Sequence, residues 1–368
     1  MLRHVFSLCL LICSQGYALD GSFSVGADHW SVSDGPAPRY RPDYSTPNPW
    51  KPTSGFLLGK ATHQLDLGRP VTLSVAGQYS EINGGRLDRA DLDVLLSYNQ
   101  GVRVGQLPYR ISWSRRYSRD NPWIAEPDAF LHYFGLNEIS QGSPGVQIYT
   151  TSYVNNWVVD SLVGNYAPMI AGPDSKLGPY VSVGPNIYHR KHGASVNGVN
   201  LATGTQLRAS WLYSAQDQLD HSGDAHPYTR QLRWNTYFLG AETNVTRALA
   251  LRVTYAGYIG NQINTTNATS FDGRSLTLEG VYTLSPGHYI ALGQTLYTNK
   301  TLYVNHPGKV QFLKVPAWTL SYRKDFSNGW YGVVEYMYSD DSYERITGAK
   351  TLRQGSATGI RLAKSFTF

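Results

Sequence analysis

Cysteine is nearly absent: Cys9 and Cys13 are the only two in 368 residues. Both fall within the first eighteen positions. The rest of the chain can therefore form no disulfide, thiolate metal site or cysteine nucleophile. Long hydrophobic runs are absent too. After residue 18 no stretch of ~18 consecutive apolar residues occurs, which excludes a transmembrane helix. There is no composition break, no linker and no block of like charge, so a single domain is expected over 19–368. No repeat of ~40 residues carries blade signatures, which argues against a propeller. The net charge of +6 is spread along the chain without a basic patch. Nothing in it points to nucleic acid.

What is present begins at the N-terminus. Residues 1–18 carry Arg3 and His4, an apolar run from Val5 to Ile12, and Gly16-Tyr17-Ala18. This is the pattern of a secretory signal peptide cut after Ala18. Ile12 is too bulky before Cys13 for lipoprotein processing. Beyond it the chain is rich in aromatics and glycine, with 27 Tyr, 9 Trp and 36 Gly, yet its mean hydropathy is −0.33. Strands with one greasy and one polar face average out to such a value.

Alternation recurs along most of the chain. Val71, Leu73, Val75 and Tyr79 interleave with Thr72, Ser74, Ala76 and Gln78. Leu276, Leu278 and Tyr282 interleave with Thr277, Glu279 and Thr283, and Trp318, Leu320 and Tyr322 with Thr319, Ser321 and Arg323. A two-residue period means strands, and many apolar sets end in Tyr or Trp, as in an interfacial girdle. Short connections such as Leu67 to Pro70, Ser285-Pro286-Gly287 and Ser327-Asn328-Gly329 alternate with long ones such as 34–54 and 119–145. Strands are expected near 21–31, 55–67, 71–81, 89–99, 107–118, 145–154, 156–167, 178–190, 205–216, 229–241, 248–259, 274–284, 288–298, 315–325, 330–339 and 355–368. That is sixteen. An extra hairpin within 186–204 or 129–142 would make eighteen.

The chain closes on Ile360-Arg361-Leu362-Ala363-Lys364-Ser365-Phe366-Thr367-Phe368. It stops on an aromatic with no polar tail. This resembles the last strand of bacterial outer-membrane β-barrels, in which a terminal aromatic belongs to the signal read by the insertion machinery. Phe366 and Phe368 would form that signal, and Lys364 departs from it. The resemblance implies an all-β fold: a transmembrane, antiparallel, up-and-down barrel with periplasmic termini in the outer membrane. It also implies contact with outer-membrane lipid, lipopolysaccharide and the barrel assembly machinery, and allows a homotrimer. No feature selects one porin family.

A barrel of this size can hold a channel, so function would lie on the inward face. An Arg or Lys facing lipid at mid-bilayer costs about 2–4 kcal/mol, so charges should turn inward. The face carrying Ile111, Trp113 and Tyr117 should meet lipid, which turns Arg110 and Arg116 inward. Lys60, Arg208, Arg233, Arg252, Arg323 and Arg361 follow, with Asp91, Asp93, Glu279 and Glu335 as inward acids. Basic groups outnumber acids on this expected wall, which tilts a pore towards anions. The plainer account is that the arginines pair with the acids. Tyr237 and Tyr258 are also placed inward, as stacking faces for sugars. Trp123, Phe130, Tyr133 and Phe134 lie in a long loop that can constrict or cap the pore.

Other chemistry is thin. Asp220, His221, Asp224 and His226 share one loop, where they could bind a metal or activate a water; a solvated loop is the simpler reading. His189, Arg190, Lys191 and His192 form a small basic knot that could contact lipopolysaccharide; a solvated turn is the simpler reading. No cofactor or metal is expected. The leading functional reading is a non-enzymatic channel for small hydrophilic solutes. The alternatives are a barrel for exopolysaccharide export, or a surface enzyme or receptor using the Asp220–His226 loop.

Overall fold

Turn chemistry sets the strand ends. Pro286 and Gly287 (φ 78°) link two strands, and Asn328 (φ 60°) with Gly329 (φ 78°) link two more. These positive φ values favour Gly and Asn. Asn155 (φ 52°) and Asn156 form another two-residue turn. The computed structural model describes residues 19–33, 53–81, 84–107, 121–124, 143–166, 187–220, 228–263, 268–303, 310–344 and 350–367.

Between the turns run sixteen strands: β1 (Leu19–Ser33), β2 (Thr53–Asp66), β3 (Pro70–Ser80), β4 (Gly84–Ser97), β5 (Gln100–Leu107), β6 (Ser143–Val154), β7 (Trp157–Tyr166), β8 (Ile187–Asn200), β9 (Gln206–Asp220), β10 (Tyr228–Asn244), β11 (Leu249–Ile263), β12 (Ala268–Ser285), β13 (His288–Tyr303), β14 (Val310–Asp325), β15 (Trp330–Glu344) and β16 (Lys350–Thr367). Each pairs antiparallel with its sequence neighbours, and β1 pairs with β16, so the sheet closes. The eighteen-strand alternative is thereby excluded. The tight turns, the start of β1 and the end of β16 lie at one end of the barrel; the end of β1 and start of β2, the end of β5 and start of β6, and the end of β7 and start of β8 lie at the other.

Two expected strands are displaced. The fourth hairpin turns at Tyr98-Asn99, so the fifth strand is the short β5 and not 107–118; residues 108–120 lie outside the described ones. The eighth strand is β8 and not 178–190. The 186–204 stretch, too long for a turn, is mostly this strand, and it absorbs the expected basic turn. There Lys191 is buried on the inner face, while His192 stacks on Tyr213 on the outer face at 6.3 Å.

The two faces differ as the alternation demands. Leu276, Leu278, Leu292, Trp318, Leu320, Val334, Ile360 and Leu362 face outward and are exposed. So continuous an apolar exterior suits lipid, not water. Thr277, Thr295, Ser321, Glu335 and Arg361 face inward and are buried. Large rings share that inner wall with facing glycines. Trp30 lies opposite Gly359, where an added Cβ would stand 2.8 Å from the indole.

The closing seam runs from Ser22↔Thr367 to Ser33↔Ser356. Asp28 faces Arg361 across it, and Arg361 donates to both carboxylate oxygens, at 2.6 and 2.7 Å. Both side chains are buried, 1% and 4% exposed. Removing one partner strands the other. Asp28→Ala should therefore cost about 3–5 kcal/mol, read as a lower urea midpoint for protein inserted in liposomes. Asp272→Ala, which breaks the solvent-screened Asp272–Arg274 pair on the outer rim, should leave that midpoint nearly unchanged.

Candidate pore interior

Cross-strand register builds the inner wall's charge pattern. Arg252 on β11 stands opposite Glu242 on β10 and Glu279 on β12. It bonds both, at 2.6 Å to Glu242 Oε2 and 3.2 Å to Glu279 Oε2. On β4 and β5, Arg103 faces Asp93 and bonds it at 2.8 Å. The Tyr149 hydroxyl donates to the other Asp93 oxygen at 2.7 Å, and the Arg103 guanidinium lies 4.2 Å from the Tyr149 ring. Arg89 pairs with Asp91, two residues along the same strand. Arg361 completes its seam pair by stacking on Phe56 at 4.5 Å. Opposite charges at directly facing positions stabilise a sheet. Here they also let charge sit in a half-dry interior without leaving it uncompensated.

Of the residues expected inward, Lys60, Arg208, Arg252, Arg323, Arg361, Glu279 and Glu335 stand on the inner face. Arg110 and Arg116 lie outside the described residues. Arg233 is a correction. It shares the outer face with Asn235, Tyr237 and Leu239, opposite in parity to the buried Thr236 and Phe238. The reason is position. Arg233 is near the long-loop end of β10, where a strand has left the hydrocarbon and the mid-bilayer penalty no longer selects a face. Tyr237 is corrected with it. Thr236 pairs directly with Tyr258, so Tyr258 points inward and Tyr237 outward. The expected excess of bases is not seen among the described inner residues, because Asp28, Asp160, Glu242 and Asp325 also point inward.

One internal segment enters this space. Asn121, Pro122, Trp123 and Ile124 lie against the inner faces of β14 and β15. The Asn121 side chain accepts from the Trp123 N–H at 3.1 Å and bends the backbone. Arg323 Nη1 donates to the Asn121 carbonyl at 2.6 Å, and the Ser321 hydroxyl to the Pro122 carbonyl at 2.5 Å. The Ile124 N–H donates to Glu335 Oε2 at 2.8 Å. Trp123 and Ile124 are almost fully buried. Arg323 is further held by Asp325 at 2.8 Å and by the Tyr331 ring at 4.4 Å. Of the aromatics expected to constrict or cap, Trp123 is thus inside the barrel; Phe130, Tyr133 and Phe134 lie outside the described residues. The partners of this segment are up to 211 positions away, so no local signal could name them.

Beside Asn121, towards the tight-turn end, a cavity of about 410 Å³ opens within the wall. Lys60, Arg323, Arg361, Asn121 and Tyr331 line it. Lys60 is exposed and, among the described residues, has no ion pair. The Asp220–His226 loop contributes only Asp220 to the described residues, at the end of β9.

Solved structures share this architecture. The chain superposes on OmpF of Salmonella typhi, in complex with daunomycin, with a TM-score of 0.59 and 12% identity over 96% of this chain and 99% of that one. For the anion-selective porin of Comamonas acidovorans the values are 0.54, 12%, 95% and 99%. For the trimer form of OmpT, an outer membrane protein of Vibrio cholerae, they are 0.55, 12%, 95% and 99%. Neither a protein-family model nor a curated protein sequence matches the chain. The likeness is one of fold: a sixteen-stranded outer-membrane β-barrel.

Glu335 should govern how firmly the segment is held. A hydrogen bond to a charged acceptor is worth about 1.5–3 kcal/mol. Trp123→Cys introduces one thiol into a chain that has none after residue 18. Adding Glu335→Ala should speed its labelling by a water-soluble maleimide roughly ten- to a hundredfold. Equal labelling rates would show that the segment is held by something else.

Proposed function

We propose that this chain is an outer-membrane channel through which small hydrophilic solutes diffuse, narrowed by the Asn121–Ile124 segment. The observation that carries this reading is the opposition of the two faces: an apolar exterior around a closed barrel, and an interior wall of paired charges, hydroxyls and a lysine-bearing cavity. A polar wall with compensated charge admits water and small solutes and does not hold them. In this reading the tight turns and both termini face the periplasm and the long connections face outward. Residues 1–18 export the chain and are removed. Phe366, stacked on Phe23 at 4.5 Å, and Phe368, outside the described residues, serve as the assembly signal. Lipopolysaccharide would meet the outer rim. The trimer form of OmpT supports a homotrimer as the assembly.

Anion preference is the finer proposal. It rests on Lys60 and the cavity, not on an excess of inner arginines, since the Arg252, Arg323 and Arg361 charges are already met by carboxylates. Export of a polysaccharide is less well supported. Sugar stacking needs open aromatic faces, whereas Tyr258 and Tyr297 are buried and bond each other at 2.9 Å. No catalytic role is proposed.

Purified protein in a planar bilayer should give stepwise, ohmic openings, and a silent bilayer would overturn the channel. In a salt gradient the reversal potential should favour anions, and Lys60→Glu should move it towards cations. No shift on that substitution would remove Lys60 from the selectivity account.

A further inference from the structure

Lys364 interrupts the apolar outer face of the last strand. The structure gives it company. Its ammonium lies 4.9 Å from the Phe366 ring centroid and 5.7 Å from that of Trp330. Two strands away, Lys324 on β14 lies 5.3 Å from the Phe326 ring. Both lysines point outward. Lys324 faces Gly332 on β15, Gly332 faces Leu362, and Lys364 faces Trp330. Lys364 stands two residues beyond Leu362 on β16, so two strand spacings and one two-residue step separate the lysines, roughly 12 Å between backbones, with Gly332 and Trp330 on the strand between.

These cations differ from the paired arginines. Arg89, Arg103, Arg252, Arg323 and Arg361 on the inner wall each bond a carboxylate, and so does Arg274 on the outer rim, at 2.7 Å to Asp272. Lys324 and Lys364 have no carboxylate partner among the described residues. The nearest acid in sequence, Asp325, points inward and is held by Arg323. Their place explains how they are tolerated. They stand in the last turns of their strands at the tight-turn end, among Trp330, Phe326 and Phe366, and an aromatic belt of this kind lies at headgroup level. There a lysine stem packs on apolar surface while its ammonium reaches the interface. The ring faces hold both ammonium groups in position by cation–π attraction.

We propose that Lys324 and Lys364, astride Gly332, bind the headgroup phosphate of an anionic phospholipid in the periplasmic leaflet. The acyl chains would lie along Val334, Leu362 and Val25, which are exposed on the same face. Charge complementarity selects the occupant: two cations with no carboxylate partner among the described residues, at headgroup depth, meet a leaflet whose anions are phosphates. This site rests on the reading that the barrel spans a bilayer with its tight turns towards the periplasm.

The test compares wild type, the Lys324→Gln/Lys364→Gln double variant and Lys314→Gln. Lys314 is an outward lysine near the opposite end of β14. Each is titrated with phosphatidylglycerol or phosphatidylethanolamine in detergent and read by native mass spectrometry. Wild type and Lys314→Gln should retain phosphatidylglycerol roughly thirtyfold better than the double variant, with a smaller difference for phosphatidylethanolamine. Millimolar inorganic phosphate should not displace the lipid; displacement would make this a site for free anions and overturn the proposal. Wild type that inserts into liposomes but retains phosphatidylglycerol no better than the double variant overturns this site alone. Wild type that fails to insert overturns the membrane reading as well.

Discussion

Backbone polar groups cannot be left open in hydrocarbon, and the rest of the structure follows from how this chain closes them. A sheet satisfies every N–H and C=O in the membrane only if its first and last strands pair. Here β1 and β16 do so from Ser22 to Ser33. Closure creates an inside, and the inside gives charge a place to go. The Asp28–Arg361 pair stands on the closing seam itself. It couples the interaction that completes the barrel to the electrostatics of its interior.

That interior is a furnished wall rather than a bare tube. Facing strands set Arg252 between Glu242 and Glu279 and Arg103 beside Asp93, so charge is compensated locally and side chains are held in fixed positions. Glu335 and Arg323 hold backbone as well, anchoring the Asn121–Ile124 segment against the inner faces of β14 and β15. The same chemistry that lets the wall be charged therefore narrows the space within it. In the proposed channel, Lys60, which lines a cavity and has no ion pair among the described residues, tells more for selectivity than the paired arginines do.

Much of this was legible from sequence, for a physical reason. A strand with lipid on one side and a polar wall on the other must alternate, so β12 and β14 could be read residue by residue. Turns that need positive φ name their own residues, as at Gly287 and Asn328. The reading failed where those pressures lapse. At the rim no penalty fixes the face of Arg233, and Trp234, Tyr237 and Leu239 put apolar groups on both faces of β10. The fifth strand lies at Gln100–Leu107, ahead of the expected 107–118, whose residues from 108 on lie outside the described ones. Pairing of Arg252 with two acids needs the register, and anchoring of Ile124 by Glu335 needs the fold. Lys364 was anomalous in the sequence because its explanation lies on the neighbouring strand, in Trp330.

The central claim is that one parity of each strand meets lipid and the other meets the barrel interior. Single cysteines along β14, spin-labelled in liposomes, test it directly. Labels at Trp318, Leu320 and Tyr322 should collide readily with oxygen dissolved in the lipid, and labels at Ala317, Thr319 and Ser321 should not. Collision rates without a two-residue period, or with the opposite phase, would contradict the account.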